Sequence, residues 1–194
     1  MPWTEIGPQR IFIYYVMGEA ARAIRAFDEM DRLSGVREQV QPGFERRELQ
    51  SILDQLRLGL VASANVSKVF WPVRNASKQA RERAEELREL FDLREDHPAM
   101  NRQLRDAIEH FDERLDRWVG NSPRPYLIDQ TVAHPIDGRD HAEYLSEAAL
   151  LVYDIGSQSA LILGQTFSIE TIRLAMQDML ERSSAAHKKT DWTD

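Results

Sequence analysis

The chain has 194 residues, 42% hydrophobic and 29% charged, with a formal net charge of -7 and no cysteine. That length and balance suit one globular domain with at most a small appendage, able to bury a real core, and exclude a disordered chain. The absence of cysteine excludes a disulfide framework, a thiolate metal site and a thiol nucleophile, and the acidic balance leaves only a local basic patch for contact with polyanions.

The first periodic segment runs from about Gln9 to Leu33, where Ile13, Met17, Ala20, Ile24 and Phe27 recur at helical spacing. Its apolar run "IFIYYVM" is too short to span a bilayer. A charged helix continues directly from that run with no convincing signal-peptide cleavage site, so the expected setting is cytoplasmic with no membrane contact. "SGVREQVQPG" breaks the pattern, with Pro42 and Gly43 as punctuation. A second helix is expected from about Phe44 to Phe70, with Leu49, Ile52, Leu53, Leu56, Leu60 and Val61 as its apolar face. Small residues in "LVASANVSKVF" allow close helix approach, and Trp71-Pro72 marks the stop. "NASKQARERAEELRELF" reads as a third helix with Ala76, Ala80, Ala84, Leu87 and Phe91 inward and Asn75 as its N-cap. Its alternating carboxylates and arginines, Glu85 and Arg81 for instance, read as surface pairs on a solvated face, not as acid–base machinery.

A fourth helix is expected from about Ala99 to Trp118, closed by "VGNSPRP". The composition then changes. "YLIDQTV" reads as a short strand, and "ALLVYDIGSQSALILGQTFS" as two strands around a Gly-Ser turn. "SIETIRLAMQDMLER" is a closing helix, capped by Ser168 or Thr171, with Ile169, Ile172, Ala175, Met176 and Met179 as its apolar stripe. The tail "SSAAHKKTDWTD" is expected to fray. The expected fold is mainly α, a bundle of about four helices followed by a small β-hairpin and a C-terminal helix. The expected division is a helical bundle over 1–120 and a small α+β extension over 121–194 packed on it.

No glycine-rich phosphate loop, Gly-x-Ser-x-Gly elbow or His-Glu-x-x-His occurs. The five histidines are scattered. His134 and His141 flank "PIDGRD", with Asp137 and Asp140 between them, and read as a polar surface loop rather than convergent metal ligands. No metal and no cofactor is expected.

The fourth helix carries the remaining chemistry. In "LRDAIEHFDERLDRW", Leu104, Ile108, Phe111, Leu115 and Trp118 are spaced four, three, four, three, and form a narrow apolar stripe. Arg105 falls near one flank of that stripe and His110 near the other. Five residues separate them by about 140° around the axis, so spacing alone predicts no pair within the helix. They meet only if the arginine reaches across the turn or a second copy brings its own pair into the same cleft. The plainer reading is that both residues solvate the edges of the stripe.

"RDAIEH" fits the Arg-x4-6-His signature of the HEPN superfamily, and "LRDAIEHFDERLDRW" resembles the motif helix of several members. Asp106, directly after the arginine, matches a position often polar there, and a bundle of about four helices with the motif late in it also fits. The resemblance covers roughly Gln9 to Trp118 and not the segment beyond. Catalytic members are metal-independent ribonucleases, many of them toxins or anti-phage effectors, whose two-fold dimers line one cleft with both motifs. The resemblance therefore implies a homodimeric endoribonuclease of the toxin or defence kind. Arg105 and His110 would carry the chemistry and Asp106 would assist. RNA would be the substrate, and an antitoxin or other protein a further partner. The residue types suit that chemistry. Histidine accepts a proton near neutral pH, and an arginine fork matches a phosphorane. Other members are non-catalytic, so the competing expectation is a helical interaction protein, a subunit or neutralising partner in a larger assembly, a role the acidic balance suits.

Overall fold

A computed structural model describes residues 6–39, 46–121, 128–133, 144–145 and 147–190. Its principal helices are α1 (Ile6–Gln39), α2 (Arg46–Phe70), α3 (Lys78–Leu90), α4 (Arg102–Glu109), α5 (Phe111–Asn121) and α6 (Ile169–Thr190), with a 3-10 turn at Pro98–Met100. The strands are β1 (Ile128–Ala133), β2 (Ala149–Asp154), β3 (Ser159–Ile162) and β4 (Gln165–Ser168). The protein is therefore mainly helical with a small sheet. No helix among the described residues is long and apolar enough to cross a membrane.

Helix α1 buries Ile13, Val16, Ala20, Ala23, Phe27, Met30 and Ser34. These recur at three- and four-residue steps, the seam that a helix presents to its neighbours. The helix does not stop near Leu33 as the glycine and polar residues suggest. Ser34 Oγ donates back to the Met30 carbonyl at 2.8 Å, and Gly35 lies in open space, so an isolated glycine costs roughly 1 kcal/mol without ending the helix. Helix α2 runs antiparallel to α1, with Asn65 beside Glu19 and Gly59 beside Phe27. Ile52, Leu53, Leu56 and Leu60 are buried as expected, but Val61 is 42% exposed.

Helix α3 is capped by Ser77, whose Oγ accepts from the Ala80 amide at 3.1 Å, and not by Asn75. Ala84, Leu87 and Phe91 are buried, while Ala76 and Ala80 are only half-buried. The i,i+4 ion pair on this helix is Lys78–Glu82 at 3.5 Å, and Arg81 instead donates to the Ala76 carbonyl. Asp92 takes a left-handed φ of 52°, which lets the Leu93 amide close on the Arg88 carbonyl at 2.8 Å and ends the helix in a Schellman motif.

The closing helix α6 lies antiparallel to α1. Arg173 pairs with Asp31 at 2.5 Å near one end, and Tyr14 Oη meets His187 Nε2 at 2.5 Å near the other. Its expected stripe, Ile169, Ile172, Ala175, Met176 and Met179, is buried throughout. The supposed frayed tail is helical to Thr190, because Ala186 still packs into the core and Ser183 is wholly buried. One core cluster takes side chains from α1, α2, α6 and the sheet alike.

The expected hairpin is one part of a four-stranded sheet in the order β1-β2-β3-β4, with β1 parallel to β2 and the other pairs antiparallel. The Gly-Ser turn joins β2 to β3 as predicted, and both Asp154 carboxylate oxygens pin it, accepting from Gly156 N at 3.0 Å and Ser157 Oγ at 2.6 Å. A second tight turn at Leu163-Gly164, with φ of 47° and 79°, splits what reads as one strand into β3 and β4. Two positive φ values are the geometry of a two-residue hairpin turn. Leucine rarely signals it, so it was hidden in the sequence.

The predicted fourth helix is also two. A 3-10 turn precedes it, α4 ends at Glu109, and His110 sits between α4 and α5 with φ -112° and ψ 39°. The hydrogen-bond ladder survives the break, His110 N to Asp106 O at 3.1 Å and Arg114 N to His110 O at 3.0 Å, so α5 continues as a kinked extension. Leu104 is buried, Ile108, Leu115 and Trp118 pack half-buried on the same core, and Phe111 is 37% exposed.

Candidate functional site

Helix α2 ends inside the molecule, so its last carbonyls need donors that water does not supply. Three arginines provide them. Arg83 on α3 donates to the Val69 carbonyl at 3.4 Å, Arg88 on α3 to the Phe70 carbonyl at 2.6 Å, and Arg105 on α4 to the Trp71 carbonyl. Three cations at a helix C-terminus also meet the negative end of its macrodipole. Burial lowers the Arg83 pKa, and its guanidinium stacks 4.6 Å over the Phe12 ring.

Arg105 thus occupies a different place from the one its spacing suggests. It is 5% exposed, not on a solvated flank. Its Nε stands 3.6 Å from Glu109 Oε2 and has no hydrogen-bond partner of its own. Glu109 also meets Lys68 Nζ at 2.7 Å, Lys68 reaches Asn65 Oδ1 at 3.3 Å, and Asn65 donates to the buried Glu19 at 2.9 Å. Arg22 closes the far end on Glu19. A continuous polar chain therefore crosses from α1 through α2 to α4. The sequence reading missed Asn65, Lys68, Trp71 and Glu109. The one available signal was "SANVSKVFWP", where polar residues interrupt an otherwise apolar helix end.

His110 lies on the other side of the helix break. Its side chain is 53% exposed, and its one ion-pair contact among the described residues is with Glu113, 3.9 Å from Nδ1. Asp106 is half-buried and lends its backbone carbonyl to the His110 amide. No hydrogen bond or ion pair among the described residues joins Arg105 to His110. The structure places one in the core and the other in solvent. The loop with His134, Asp137, Asp140 and His141 lies outside the described residues. Among the described residues no cluster of three or more histidines and carboxylates could hold a metal.

A second histidine, His97, is built in more tightly. Its ring stacks on Trp71 with centroids 6.4 Å apart and 8° between planes. Nδ1 accepts from the Ala99 amide at 3.1 Å, which leaves the proton on Nε2 to donate to Asp178 at 2.9 Å. Arg182 bonds the same carboxylate at 2.6 Å and also donates to the Phe91 and Asp92 carbonyls, at 2.9 and 2.7 Å. Burial pushes the Asp178 pKa up, but the donors Arg182 and His97 outweigh it and hold the carboxyl below its ordinary value of 3.8. A carboxyl with a depressed folded pKa contributes stability that is full above the unfolded pKa and lost as pH falls through the folded one. The urea midpoint should therefore fall between about pH 5 and about pH 2, and Asp178→Asn should flatten that acid limb. An unchanged limb in the variant would remove Asp178 from the linkage.

A groove of about 270 Å³ lies under the helix break, lined by Leu60, Val61, Ile108, Phe111, Leu151 and Ile162, with Arg57 at its rim. Its walls come from α2, from Ile108 and Phe111 on either side of the break, and from β2 and β3. Comparison with protein-family models, with characterised proteins and with solved structures finds no match for this chain.

Proposed function

We propose that this chain is a non-catalytic helical interaction protein, a subunit or neutralising partner in a larger assembly. The observation that carries this reading is the use of Arg105. Its guanidinium is turned inward onto the Trp71 carbonyl and is 5% exposed, so it offers no fork to an external phosphate. The net charge of -7 also favours protein over nucleic acid as partner.

A second reading rests on His110. A half-exposed imidazole with a carboxylate near its Nδ1 is the arrangement a general base needs. In that reading the protein is a metal-independent endoribonuclease of the HEPN type, a homodimer acting on RNA, with Arg105 freed from the α2 terminus in the active assembly and Asp106 assisting. An antitoxin or other protein is then a further partner.

One experiment separates them. Purified protein is incubated with total RNA in EDTA beside the His110→Ala variant. The interaction reading expects intact RNA from both proteins. His110→Ala should also leave stability within about 0.5 kcal/mol, since the site is a surface one. Cleavage by the wild type that vanishes in His110→Ala would replace the interaction reading with the nuclease.

A further inference from the structure

The outer edge of α1 is unlike the rest of that helix. Ile11 is 69% exposed, Tyr14 55% and Tyr15 45%, and they are followed by the exposed Gly18, Arg22 and Arg25. A Cβ built at Gly18 meets nothing within 4 Å. A glycine on an exposed helix face does allow another backbone to approach closely.

Around Gly18 the edge is self-complementary. Tyr15 lies three residues before it and Arg22 four after, while Ile11 and Arg25 lie seven before and seven after. A copy laid antiparallel and crossing at Gly18 sets each Tyr15 ring against the partner's Arg22 and each Ile11 against the stem of the partner's Arg25. A parallel copy would instead put arginine on arginine. Arg22 is already fixed for this role. Its guanidinium pairs with the buried Glu19, which Asn65 anchors in turn, and its side chain remains 51% exposed. A held cation with an open face is what a tyrosine ring recognises. We propose that the partner of this edge is a second copy of the same chain, docked antiparallel across Gly18. This surface is distinct from the α4–α5 stripe, whose side chains largely pack on their own core, and it is independent of how His110 and Arg105 are read.

Two tyrosines among arginines could also stack single-stranded RNA. The bare Gly18 and the exposed Ile11 favour a protein surface, because neither offers anything to a base.

The chain has no cysteine, so Gly18→Cys introduces a single thiol. A disulfide needs Cα atoms within about 7 Å. Mild oxidation at about 50 µM should convert most of Gly18→Cys to a covalent dimer, while Glu89→Cys on exposed α3 stays monomeric. Gly18→Leu improves helix propensity and so keeps the fold, yet it should weaken self-association at least 10-fold in sedimentation, as should Arg22→Glu. Equal crosslinking of the two cysteine variants would overturn the proposal. So would association unchanged by Gly18→Leu, or a wild type monomeric at about 100 µM. A monomer that binds single-stranded RNA through Tyr15 would overturn it in favour of a nucleic-acid surface.

Discussion

Arg105→Ala will cost the fold about 3 kcal/mol, among the largest effects of any single polar substitution in this chain. A hydrogen bond to a charged donor contributes about 1.5–3 kcal/mol, and removing it leaves its buried acceptor unsatisfied. Replacement water reaches the Trp71 carbonyl poorly, because Trp71 is only 3% exposed. The guanidinium's departure also opens a void at the α2–α4 contact. Glu109 moderates the loss, since it keeps Lys68 and is 23% exposed. Arg88→Ala, at the neighbouring carbonyl, should cost less because the Arg88 side chain is already 20% exposed. Arg105→Lys should recover only part of the loss, since an ammonium cannot reach both Trp71 and Glu109 as a planar fork does. Urea denaturation measures this directly: the midpoint should drop with the slope unchanged. A loss below about 0.5 kcal/mol, the size of a surface effect, would mean that the arginine collar is ornamental and would return Arg105 to the site.

The same residue shows where sequence reasoning reached and where it stopped. The helices were legible because apolar residues at 3.6-residue period and the Trp71-Pro72 stop are local signals. The α6 stripe and the Gly-Ser turn were legible for the same reason. Arg105 was not. Helical angle put it on a flank of the stripe, but the acceptor that draws it inward lies 34 positions away, at the end of another helix. The break at His110 was hidden because every residue from Arg102 to Trp118 is acceptable in a helix and the ladder continues across it. The Leu163-Gly164 turn was hidden because tertiary packing, with Leu163 only 9% exposed, holds a leucine at positive φ. The parallel pairing of β1 with β2 is likewise a non-local fact.

This pattern bears on the function. A motif defined by two residues on one helix assumes that both face the same medium. Here the chain spends the arginine on closing α2, and the histidine remains at a kink beside an apolar groove. The interaction role proposed above rests on this division, a buried Arg105 and an exposed His110.

Gly59→Ala should destabilise the protein by about 2 kcal/mol, against the usual sign for glycine within a helix. Alanine at an interior helix position normally gains about 0.8–1 kcal/mol over glycine. Gly35→Ala, in open space on α1, should show that ordinary gain. At Gly59 the new Cβ would stand 2.8 Å from Phe27 Cδ1 and Cζ, and closer still to Cε1. Phe27 cannot yield. Its ring is fully buried, and its backbone carbonyl accepts from Arg173 at 3.4 Å, which ties that turn of α1 to α6. Overpacking of this kind costs typically 1–3 kcal/mol and here must also cancel the propensity gain. Either α1 and α2 separate, which loosens the Glu19–Asn65 contact one helical span away, or the ring leaves its rotamer. Phe27→Leu alone should cost about 1–2 kcal/mol through the void it leaves. Combined with Gly59→Ala it should cost clearly less than the sum, with a coupling of at least about 1 kcal/mol, because the smaller side chain makes room for the methyl. Strict additivity in that cycle, measured by thermal or urea unfolding, would show that Gly59 and Phe27 do not meet, and the α1–α2 packing described above would be wrong at its closest point.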